Sequence, residues 1–555
     1  MSRVTRRNPV AAASALTTPN LVGGRAVVSA EQAPGSSAVL RNYTAQSGRT
    51  RHLVTATCSD LRLVYVARVG GSGTTTPEPD LTNPIFLKVG ASLDGSSWYP
   101  VTFGGRQTGQ LDPGTGTLTS DPIPFDMTPG QYLYLSHLQT QAFGVATTLA
   151  SGASIGATTL SLTAAPNITS GYMVVDTGGS LETVQVVSVT GSGPYTATLN
   201  PGTTVTKTHS SGAAVYQQLI TDRAVYADRG EFGTNYTTLP AADRTYGGTF
   251  SAIGAVSTTL ASSASPGNTT IQLAAAISSP TLVIDTAGAA ETVTVVNVFG
   301  AGAPYTYYLA APLAQSHSSG VTVASGTGYS ATSFGPRMVV ADRVAANSPA
   351  SVVAVGDSIL AGSGYQLRLN TSYLELALGA TNPVVNLGVP SDTAQAFAAL
   401  ANSPGRRKLL AAGNWLYVQY PHNDISSSRT LPQVQADLTT IVKLGRARGM
   451  RVALNTTPPR TTSSDGWATT TNQTFDANES VRLAYNAWVR AGAGGLADLV
   501  LDVAAPLDSG TATGGASTGL WRAAGSAGPY TVDGVHPSVV GHQAMAAAIN
   551  SAWLS

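Results

Sequence analysis

The sequence predicts a multidomain protein in which an all-β N-terminal part precedes a C-terminal α/β domain with a mainly parallel sheet. Three observations predict this organisation. The chain has 555 residues, more than a single hydrophobic core usually serves. Its N-terminal part consists of short period-two runs between Gly- and Pro-rich turns, a pattern typical of antiparallel strands. From about residue 349 onward, continuously apolar runs alternate with segments of three- and four-residue apolar spacing, which is typical of strands and helices alternating around a parallel sheet.

Composition excludes several classes of partner. Only 11% of the residues are charged and the net charge is +1, so the clustered basic side chains that bind nucleic acid are not expected. No apolar window reaches the roughly 18 residues of a membrane span. The lone Cys58 excludes an intrachain disulfide and a cysteine-built metal cluster. The first residues carry three arginines but no continuous apolar core, so we expect no standard signal peptide. Residues 1–19 are expected to form a flexible arm, with an attachment peptide of a larger assembly as the alternative.

Residues 20–145, 218–255 and 325–345 are predicted to form one β-sandwich of jelly-roll type. Runs such as "HLVTATCSDLRLVYVARV" and "QYLYLSHLQT" read as short strands between turns, at a spacing typical of sandwiches. Two further segments interrupt this domain, and insertions of this kind are tolerated in loops because the entropy of loop closure grows only slowly with length.

The two inserted segments, 146–217 and 256–324, repeat each other and are called module 1 and module 2 below. Both carry an "ETV" strand, a "PYT" strand and an "HSSG" turn, so each is predicted to be a small β module. Three acidic or histidine positions recur in both copies: Asp176 and Asp285, Glu182 and Glu291, His209 and His317. A metal or sugar site is one hypothesis for them. The favoured one is hydrogen bonding that holds turns in place. The modules resemble short β repeats of phage tail and other virion-associated proteins.

Residues 349–555 are predicted to form the C-terminal α/β domain. The runs "SVVAVGDS" and "MRVALNTTP" read as buried strands, whereas "LPQVQADLTTIVKLGRARG", "ESVRLAYNAWVRAG" and "HPSVVGHQAMAAAINSAW" have helical spacing. Sites of parallel sheets lie beyond the carboxyl ends of the strands. We therefore expect the functional site there.

Two short motifs carry residues for nucleophilic chemistry. Ser358 follows a predicted strand in "VVAVGDSILAGSG", where it either turns the chain or presents a reactive hydroxyl. Asp533 and His536 lie three residues apart in "YTVDGVHPSVV". A serine hydroxyl becomes a good nucleophile when an imidazole removes its proton, and a carboxylate fixes the tautomer of that imidazole. An Asp-Gly turn and a helix-start histidine are the alternative interpretation.

Two other motifs carry hydrogen-bond donors. Asn423 ends the strand-like run "LYVQYPHND", where its amide either donates to an oxyanion or caps a turn. "VVNLGVPSDTAQAFAAL" ends a strand and opens a helix at Ser391, where free backbone N–H groups can face an anion.

The segments "GDS", "NLGVPSDT", "PHND" and "DGVH" resemble, in order and spacing, the four blocks of the SGNH (GDSL-type) hydrolases. The resemblance covers about 349–555 and implies a three-layer α/β/α fold. It further implies that Ser358 is the nucleophile, His536 the general base and Asp533 its orienting carboxylate. The implied oxyanion hole consists of Ser358 N–H, Ser391 N–H and the Asn423 amide, with Gly388 as the fallback for Ser391.

Two positions depart from the family pattern. Ser391 stands where the family usually has Gly, and can supply its N–H only if it reaches the same backbone conformation. Pro421 replaces a usual Gly in the third block and has no N–H. His422 and His542 either contact substrate or, as we expect for His542, lie on the exposed or packed face of the last helix. No metal and no cofactor are predicted, since His52 and His137 have no acidic neighbours at metal-ligand spacing.

The leading hypothesis is a metal-independent serine esterase that acts through an acyl-enzyme on an ester-bearing polysaccharide or cell-envelope polymer, with carbohydrate O-deacetylation as one form. The β modules would position it, and the tail-protein resemblance suggests virion tail proteins as partners, a virion-associated or extracellular place of action, and a homo-oligomer such as a trimer. The alternative is a non-catalytic virion or surface glycan-binding protein with a degenerate hydrolase domain.

Overall fold

The computed structural model describes residues 16–17, 26–30, 45–66, 85–107, 109–111, 117–141, 143–166, 171–176, 182–218, 226–236, 257–277, 279–300, 302–325, 331–365, 367, 371–399, 404–510 and 518–554.

The N-terminal part is built of strands alone, as far as the structure describes it. The strands are β1 (Leu16–Thr17), β2 (Ala26–Ala30), β3 (Ala45–Leu53), β4 (Cys58–Val66), β5 (Ile85–Ser92), β6 (Tyr99–Val101), β7 (Gly109–Leu111), β8 (Thr117–Thr119), β9 (Tyr132–Gln141), β10 (Phe143–Thr148), β11 (Thr159–Leu162), β12 (Gly171–Val175), β13 (Glu182–Thr190), β14 (Tyr195–Leu199), β15 (Ala214–Gln218), β16 (Tyr226–Tyr236), β17 (Ser257–Thr259), β18 (Thr270–Leu273), β19 (Thr281–Ile284), β20 (Glu291–Phe299), β21 (Tyr305–Leu309), β22 (Thr322–Ser325), β23 (Ala331–Phe334) and β24 (Met338–Ala345).

Two antiparallel sheets share one apolar core in this part of the chain. The first has the order β1-β24-β4-β8, with β2 also paired to β24, and the second has the order β23-β16-β3-β9-β5-β6, with β7 paired to β5. Leu61 and Leu63 of the first sheet lie in the same buried cluster as Leu87, Val89 and Leu133 of the second, because alternate residues of a strand face one side of its sheet. Strands from all three predicted sandwich segments therefore lie in these two sheets. The jelly-roll assignment stays a prediction.

Most of the predicted arm 1–19 lies outside the described residues. The described part, Leu16–Thr17, pairs antiparallel with β24. The free Cys58 is buried, and burial with the nearby charge of Asp126 raises the pKa of its thiol to about 12.

Modules 1 and 2 each form a six-stranded sheet with the same connectivity. The order is β10-β15-β12-β13-β14-β11 in module 1 and β17-β22-β19-β20-β21-β18 in module 2. Module 1 has a buried cluster of its own, whereas the buried cluster of module 2 also includes Leu367 and Val539 of the C-terminal part.

The acidic and histidine positions that the modules share hydrogen-bond within their own module. His209 Nε2 lies 2.8 Å from Glu182 Oε1, and His317 Nε2 lies 2.9 Å from Glu291 Oε2. Both Asp176 and Asp285 have positive φ, a backbone conformation that short polar side chains tolerate in turns. Among the residues that the structure describes, no group of three His, Cys, Asp or Glu side chains is arranged to hold a metal ion.

The C-terminal part alternates strands and helices, which confirms the predicted α/β domain with a parallel sheet. Its elements are β25 (Val352–Gly356), α1 (Tyr373–Leu378), β26 (Val384–Asn386), α2 (Ala394–Ala398), α3 (Pro404–Leu409), β27 (Trp415–Gln419), α4 (His422–Ser426), α5 (Leu431–Arg446), β28 (Arg451–Asn455), β29 (Thr461–Ser463), β30 (Gln473–Phe475), α6 (Glu479–Arg490), β31 (Leu499–Leu501) and α7 (Val539–Ala547), with 3₁₀ turns at Leu410–Ala412, Ala493–Gly495 and Ser551–Leu554. The sheet has the order β26-β25-β27-β28-β31 and all its pairs are parallel. None of the helices in the described residues is long and apolar enough to cross a membrane.

Helices cover both faces of this sheet. Val353 and Val355 of β25 pack in one cluster with Leu438 of α5 and Tyr485 of α6. Their neighbours Val352 and Ala354 point the other way, into a second cluster that contains residues of α1 and α7. A strand buried on both faces reads as an unbroken apolar run, which is the sequence signal of β25. The layers are therefore helix, sheet and helix.

The N-terminal sheets and the α/β domain pack against each other. Val64, Val66, Met338 and Val340 lie on the first N-terminal sheet and belong to the cluster that contains Val353. Those four side chains alternate with residues that point into the N-terminal core, so the first sheet is buried on both of its faces.

Candidate active site

Ser358 lies at the carboxyl end of the central strand β25. β25 is buried along its whole length and ends at Gly356, where a Cβ would lie 2.6 Å from the carbonyl oxygen of Gln419. Asp357 Oδ1 then accepts the N–H of Ile359 at 2.8 Å, which turns the chain away from the strand direction. The turn leaves the hydroxyl of Ser358 at the carboxyl edge of the sheet.

The loop before α7 carries Asp533 and His536. Asp533 Oδ1 accepts the backbone N–H groups of Val535 at 2.9 Å and of His536 at 2.7 Å. Gly534 has φ +83° and lies so close to Thr461 that a Cβ would meet its carbonyl oxygen at 1.9 Å. The tight turn therefore depends on glycine, and it directs the second oxygen of Asp533 toward the imidazole of His536.

The structure brings Ser358, His536 and Asp533 together in one hydrogen-bonded row. His536 Nε2 lies 2.8 Å from Ser358 Oγ, although the two residues are 178 positions apart. His536 Nδ1 lies 2.7 Å from Asp533 Oδ2. Burial tends to raise the pKa of Asp533, but the hydrogen bond and the charge of His536 outweigh burial and lower it to about 2. The side chains of His536 and Asp533 are 25% and 31% exposed, so the row borders solvent.

The backbone N–H groups proposed as donors, those of Ser358 and Ser391, belong to two different loops of this domain. Ser391 has φ +64°, the left-handed conformation that a glycine would adopt easily and that serine adopts at a cost. Within the described residues, no protein acceptor is found for the N–H of Ser358 or of Ser391. Gly388 differs, because its N–H is donated to Asn386 Oδ1 at 2.8 Å. The fallback position is thus already occupied by a hydrogen bond within the protein.

Asn423 of the third block is oriented by Asp392 of the second block. Its Nδ2 donates to the carbonyl oxygen of Asp392 at 3.0 Å, and an amide nitrogen carries two hydrogens. One hydrogen therefore fixes the side chain, and the other is left for a ligand. Pro421 precedes α4 and shifts the chain into a helical turn at His422, yet Asn423 still meets the Ser391 loop.

Residues 354–544 match the model of the GDSL-like Lipase/Acylhydrolase family. The C-terminal domain is a GDSL-type acylhydrolase domain. This confirms the resemblance of that domain, while the tail-protein resemblance of the modules stays a prediction. The acylhydrolase domain also resembles solved structures that cover about a third of the chain. A putative G-D-S-L lipolytic protein from Desulfitobacterium hafniense has 19% identity and a TM-score of 0.27 over 36% of this chain and 97% of its own.

Two further structures resemble the acylhydrolase domain to the same degree. A putative acylhydrolase from Bacteroides fragilis has 18% identity and a TM-score of 0.25 over 36% of this chain and 86% of its own. A catalytic mutant of an acetylxylan esterase from Geobacillus stearothermophilus has 19% identity and a TM-score of 0.26 over 36% of this chain and 92% of its own. No curated protein matches the chain significantly.

Several buried polar residues of the acylhydrolase domain, which sequence reasoning did not single out, hold the donor loops. Asp424 accepts the N–H groups of Ala394 and Gln395 at 2.8 and 3.1 Å, so it ties α4 to the first turn of α2. Asp392 pairs with the buried Arg406 at 2.5 Å. Asp392 and Asp424 directly follow the predicted residues Ser391 and Asn423, so their positions in the second and third blocks could have indicated a role at the site. Arg406 carries no such signal, because its partner is known only from the fold.

Burial raises the pKa of four carboxyl groups in the described part of the acylhydrolase domain, those of Asp357, Glu375, Asp424 and Glu479. Burial raises the pKa of Asp357 to about 7, although the N–H of Ile359 lowers it. Burial likewise raises the pKa of Asp424 to about 7 against the effect of its two backbone donors. Asp357 and Asp424 therefore titrate near neutral pH.

The other histidines serve packing, with one exception. His542 is buried between Tyr373 N and the carbonyl oxygen of Ser363, at 3.2 and 3.0 Å, and burial lowers its pKa to about 4. His52 and His137 are buried in the N-terminal sheets, against Thr50 and Tyr65. His422 Nδ1 contacts Thr457 Oγ1 at 3.1 Å, whereas its buried Nε2 has no partner in the described residues.

His422 borders a pocket beside the catalytic elements. Burial and the charge of Arg460 hold its pKa well below the usual value. Seven of the eight lining side chains are polar; the lining consists of His422, Ile425, Ser426, Arg460, Asp476, Asn478, Glu479 and Arg482. One wall adjoins Asn423, and the other adjoins Thr461, whose N–H donates to the carbonyl oxygen of Gly534. The pocket lining is thus connected along the chain to Asn423 and to Thr461, which contacts the loop of Asp533 and His536.

Proposed function

We propose that the acylhydrolase domain is a serine carboxylic ester hydrolase with Ser358 as nucleophile, His536 as general base and Asp533 as the carboxylate that orients His536. The observation that carries the proposal is the hydrogen bond of 2.8 Å between His536 Nε2 and Ser358 Oγ, which continues to Asp533 at 2.7 Å. This row of groups is the one that activates a serine hydroxyl.

The proposed reaction has two halves. Ser358 Oγ attacks the ester carbonyl carbon while its proton passes to His536 Nε2, and the charge of Asp533 stabilises the imidazolium that forms. His536 then gives the proton to the leaving alcohol, and the acyl group stays on Ser358. In the second half, His536 takes a proton from water, the resulting hydroxide attacks the acyl carbon, and Ser358 regains its proton as the carboxylic acid leaves.

The oxygen of the attacked carbonyl gains negative charge in both halves. The proposed donors are Ser358 N–H, Ser391 N–H and the second hydrogen of Asn423 Nδ2. Support comes from Asn423 being oriented by Asp392 and from the left-handed φ of Ser391, the conformation that the family's usual glycine allows. Gly388 is dropped as a donor, since Asn386 already accepts its N–H.

The polar pocket supports a short acyl group on a polar alcohol, such as an acetylated carbohydrate. Charged and other polar side chains form most of its lining, and Ile425 is the aliphatic side chain among them, so a long acyl chain would find little apolar surface to pack against. Sugar hydroxyls can donate to and accept from the same groups. Nε2 of His422, which is buried and has no partner in the described residues, is one such group.

Kinetics on a series of p-nitrophenyl esters would test the proposal. We expect the highest kcat/KM on the acetyl or butyryl ester, with a steady fall toward the palmitoyl ester, and release of acetate from an acetylated polysaccharide. Ser358→Ala should lose this turnover, while Ser363→Ala, at a neighbouring loop position, serves as the matched control for folding. Wild-type activity in Ser358→Ala would refute the proposed nucleophile. A maximum at long acyl chains would refute the short-chain assignment.

The N-terminal sheets and modules are proposed to hold the enzyme on a polymeric surface, as part of a phage tail or similar assembly. Support is limited to the two repeated modules and their resemblance in sequence to tail-protein repeats. Full-length Ser358→Ala applied to a glycan array tests binding without turnover. Binding with no esterase activity in the wild-type protein would instead favour the alternative of an attachment protein.

A further inference from the structure

Module 2 contacts the loop that carries Asp533 and His536. Asn297 on β20 is fully buried, and its Nδ2 donates to the carbonyl oxygens of Ala527 at 2.9 Å and Pro529 at 3.1 Å, more than 200 positions away. Both hydrogens of the amide are therefore used on one short segment. That segment runs directly into the loop of Asp533.

The strand beside Asn297 contacts the same segment. Tyr308 on β21 is the cross-strand neighbour of Asn297. Gly528, at φ +91°, lies against both side chains, and a Cβ there would approach the Tyr308 ring to 2.7 Å and Asn297 Nδ2 to 3.0 Å. The segment 527–529 thus sits on a surface shaped by this cross-strand pair.

A second route links module 2 to the turn between Asp533 and His536. The ring of Phe299, at the end of β20, lies edge-on to Trp467 with 6.3 Å between ring centres. Trp467 in turn packs against Gly534, where a Cβ would meet its ring at 2.5 Å. Trp467 Nε1 also donates to Thr461 Oγ1 at 2.9 Å, and Thr461 N–H donates to Gly534 O.

The catalytic loop is also held from its far side by the core of module 2. Val539, in the first turn of α7, and Leu367 lie in the buried cluster of module 2. The Ser538 hydroxyl donates to Pro529 O at 2.6 Å, the same carbonyl that Asn297 contacts. Both ends of the loop are therefore fastened to this module.

Module 1 provides an internal comparison, because it has the same fold and, in the residues that the structure describes, shows no such contacts with the acylhydrolase domain. In the shared register Ser188 pairs with Thr198 as Asn297 pairs with Tyr308. Ser188 is partly exposed and Thr190, the counterpart of Phe299, is exposed. The two copies thus differ at the positions that touch the acylhydrolase domain in module 2.

We propose that module 2 holds the loop of Asp533 and His536 in its reactive position and that Asn297 is a positioning residue for this loop. The proposal rests on the proposed esterase function, since a positioned triad matters only if the triad reacts. An amide that donates to two carbonyl oxygens fixes the direction of the segment they belong to, because both bonds must be linear at once. Small displacements of a general base cost much of the rate.

The test exchanges the counterpart residues of the two modules. In Asn297→Ser the two donors to 527–529 are lost, and we expect kcat on p-nitrophenyl acetate to fall by about 10- to 100-fold while KM stays within about twofold. Ser188→Asn makes the reverse exchange in module 1 and should leave both constants unchanged. An unfolded fraction would also lower the apparent kcat and leave KM unchanged, because it lowers the amount of active enzyme, so kcat must be expressed per folded active site.

Two added measurements keep the test decisive. Active-site titration with an organophosphonate counts competent Ser358, so kcat is expressed per reactive site. Amide hydrogen exchange of residues 527–536 should speed up in Asn297→Ser and stay unchanged in Ser188→Asn. If Asn297→Ser does not fold, Tyr308→Thr loosens the same segment from the neighbouring strand and takes its place.

The outcomes separate this inference from the esterase proposal. Unchanged kcat and unchanged exchange in an active Asn297→Ser or Tyr308→Thr variant would overturn the positioning role and leave the esterase intact. A wild-type protein without turnover overturns the esterase proposal, and the exchange measurement still decides whether module 2 holds the loop.

Discussion

Replacing Asp533 by Asn changes one atom of the proposed triad and has a consequence that the hydrogen bonds dictate. Asp533 Oδ1 accepts two backbone N–H groups, from Val535 and His536. An asparagine must keep its carbonyl oxygen at that position, because its NH₂ group cannot accept them. The NH₂ group then faces His536 Nδ1, which becomes the acceptor. The proton of the neutral imidazole moves to Nε2, where it meets the hydroxyl of Ser358.

In that tautomer His536 cannot take the proton of Ser358. The loss of the correct tautomer in a serine triad costs about 10⁴-fold in kcat. At 1.36 kcal/mol for each factor of ten, this corresponds to about 5 kcal/mol of transition-state stabilisation. The backbone hydrogen bonds remain, so the loop keeps its shape and the thermal midpoint should move little. The effect is thus expected in kcat and not in folding.

The assay is steady-state hydrolysis of p-nitrophenyl acetate together with a thermal unfolding curve. Asp465→Asn is the matched control, because Asp465 also accepts hydrogen bonds from its own loop, those of Thr469 and Asn472, in the same domain. It should retain kcat within about twofold. A kcat for Asp533→Asn within tenfold of the wild-type value would refute the tautomer argument. A large fall in the thermal midpoint would instead mean that the loop had lost its shape.

Three further predictions concern the donor loops and the buried carboxyl groups. Asn423→Ala should lower kcat by about 100- to 1,000-fold, measured beside Asn472→Ala as an unaffected control; a loss below tenfold would contradict the donor role. Ser391→Gly should keep its activity, whereas Ser391→Val should lower the free energy of unfolding by about 1–2 kcal/mol, since φ is +64° there; equal urea midpoints would contradict this. The pKa values of Asp357 and Asp424 rise from 3.8 to about 7 on folding, so between about pH 4 and 7 the folded state keeps protons that the unfolded state has released, and stability falls as pH rises. Asp424→Asn should flatten that fall in urea unfolding curves followed by tryptophan fluorescence, and an unchanged slope would disprove the assignment.

The fold of the C-terminal domain could be predicted because its signals are local. β25 is a continuous apolar run, and α5 and α6 show helical spacing over their whole length. A strand buried on both faces gives a continuous apolar run, and a helix buried on one face gives apolar residues at three- and four-residue spacing. Both patterns can be recognised without knowing which elements pack against the strand or the helix. The family model agrees with them over residues 354–544. The two repeated modules could likewise be identified from the sequence, because both carry the same short motifs.

The arrangement of the site residues could be predicted from the sequence only in part. The order of the blocks pointed to Ser358, Asn423, Asp533 and His536, but not to the distances between them. Gly388 was a reasonable fallback until the structure paired its N–H with Asn386. Nothing local distinguishes Ser391 from any serine in a turn, because its φ of +64° is set by the surrounding loop.

By itself the sequence determined the division into β and α/β parts and the residue types that face the sheet edge, since these depend on neighbours within a few positions. The duplication of the modules was also determined by the sequence, because the two segments carry the same short motifs. Only the tertiary structure decided that one copy of the module touches the catalytic loop and that the hydroxyl, the imidazole and the carboxylate meet. Those contacts join residues 178 and more than 200 positions apart. Such contacts depend on the exact distances and angles between distant residues. Many sequences with the same local pattern would lack them, so they are known only from the folded structure.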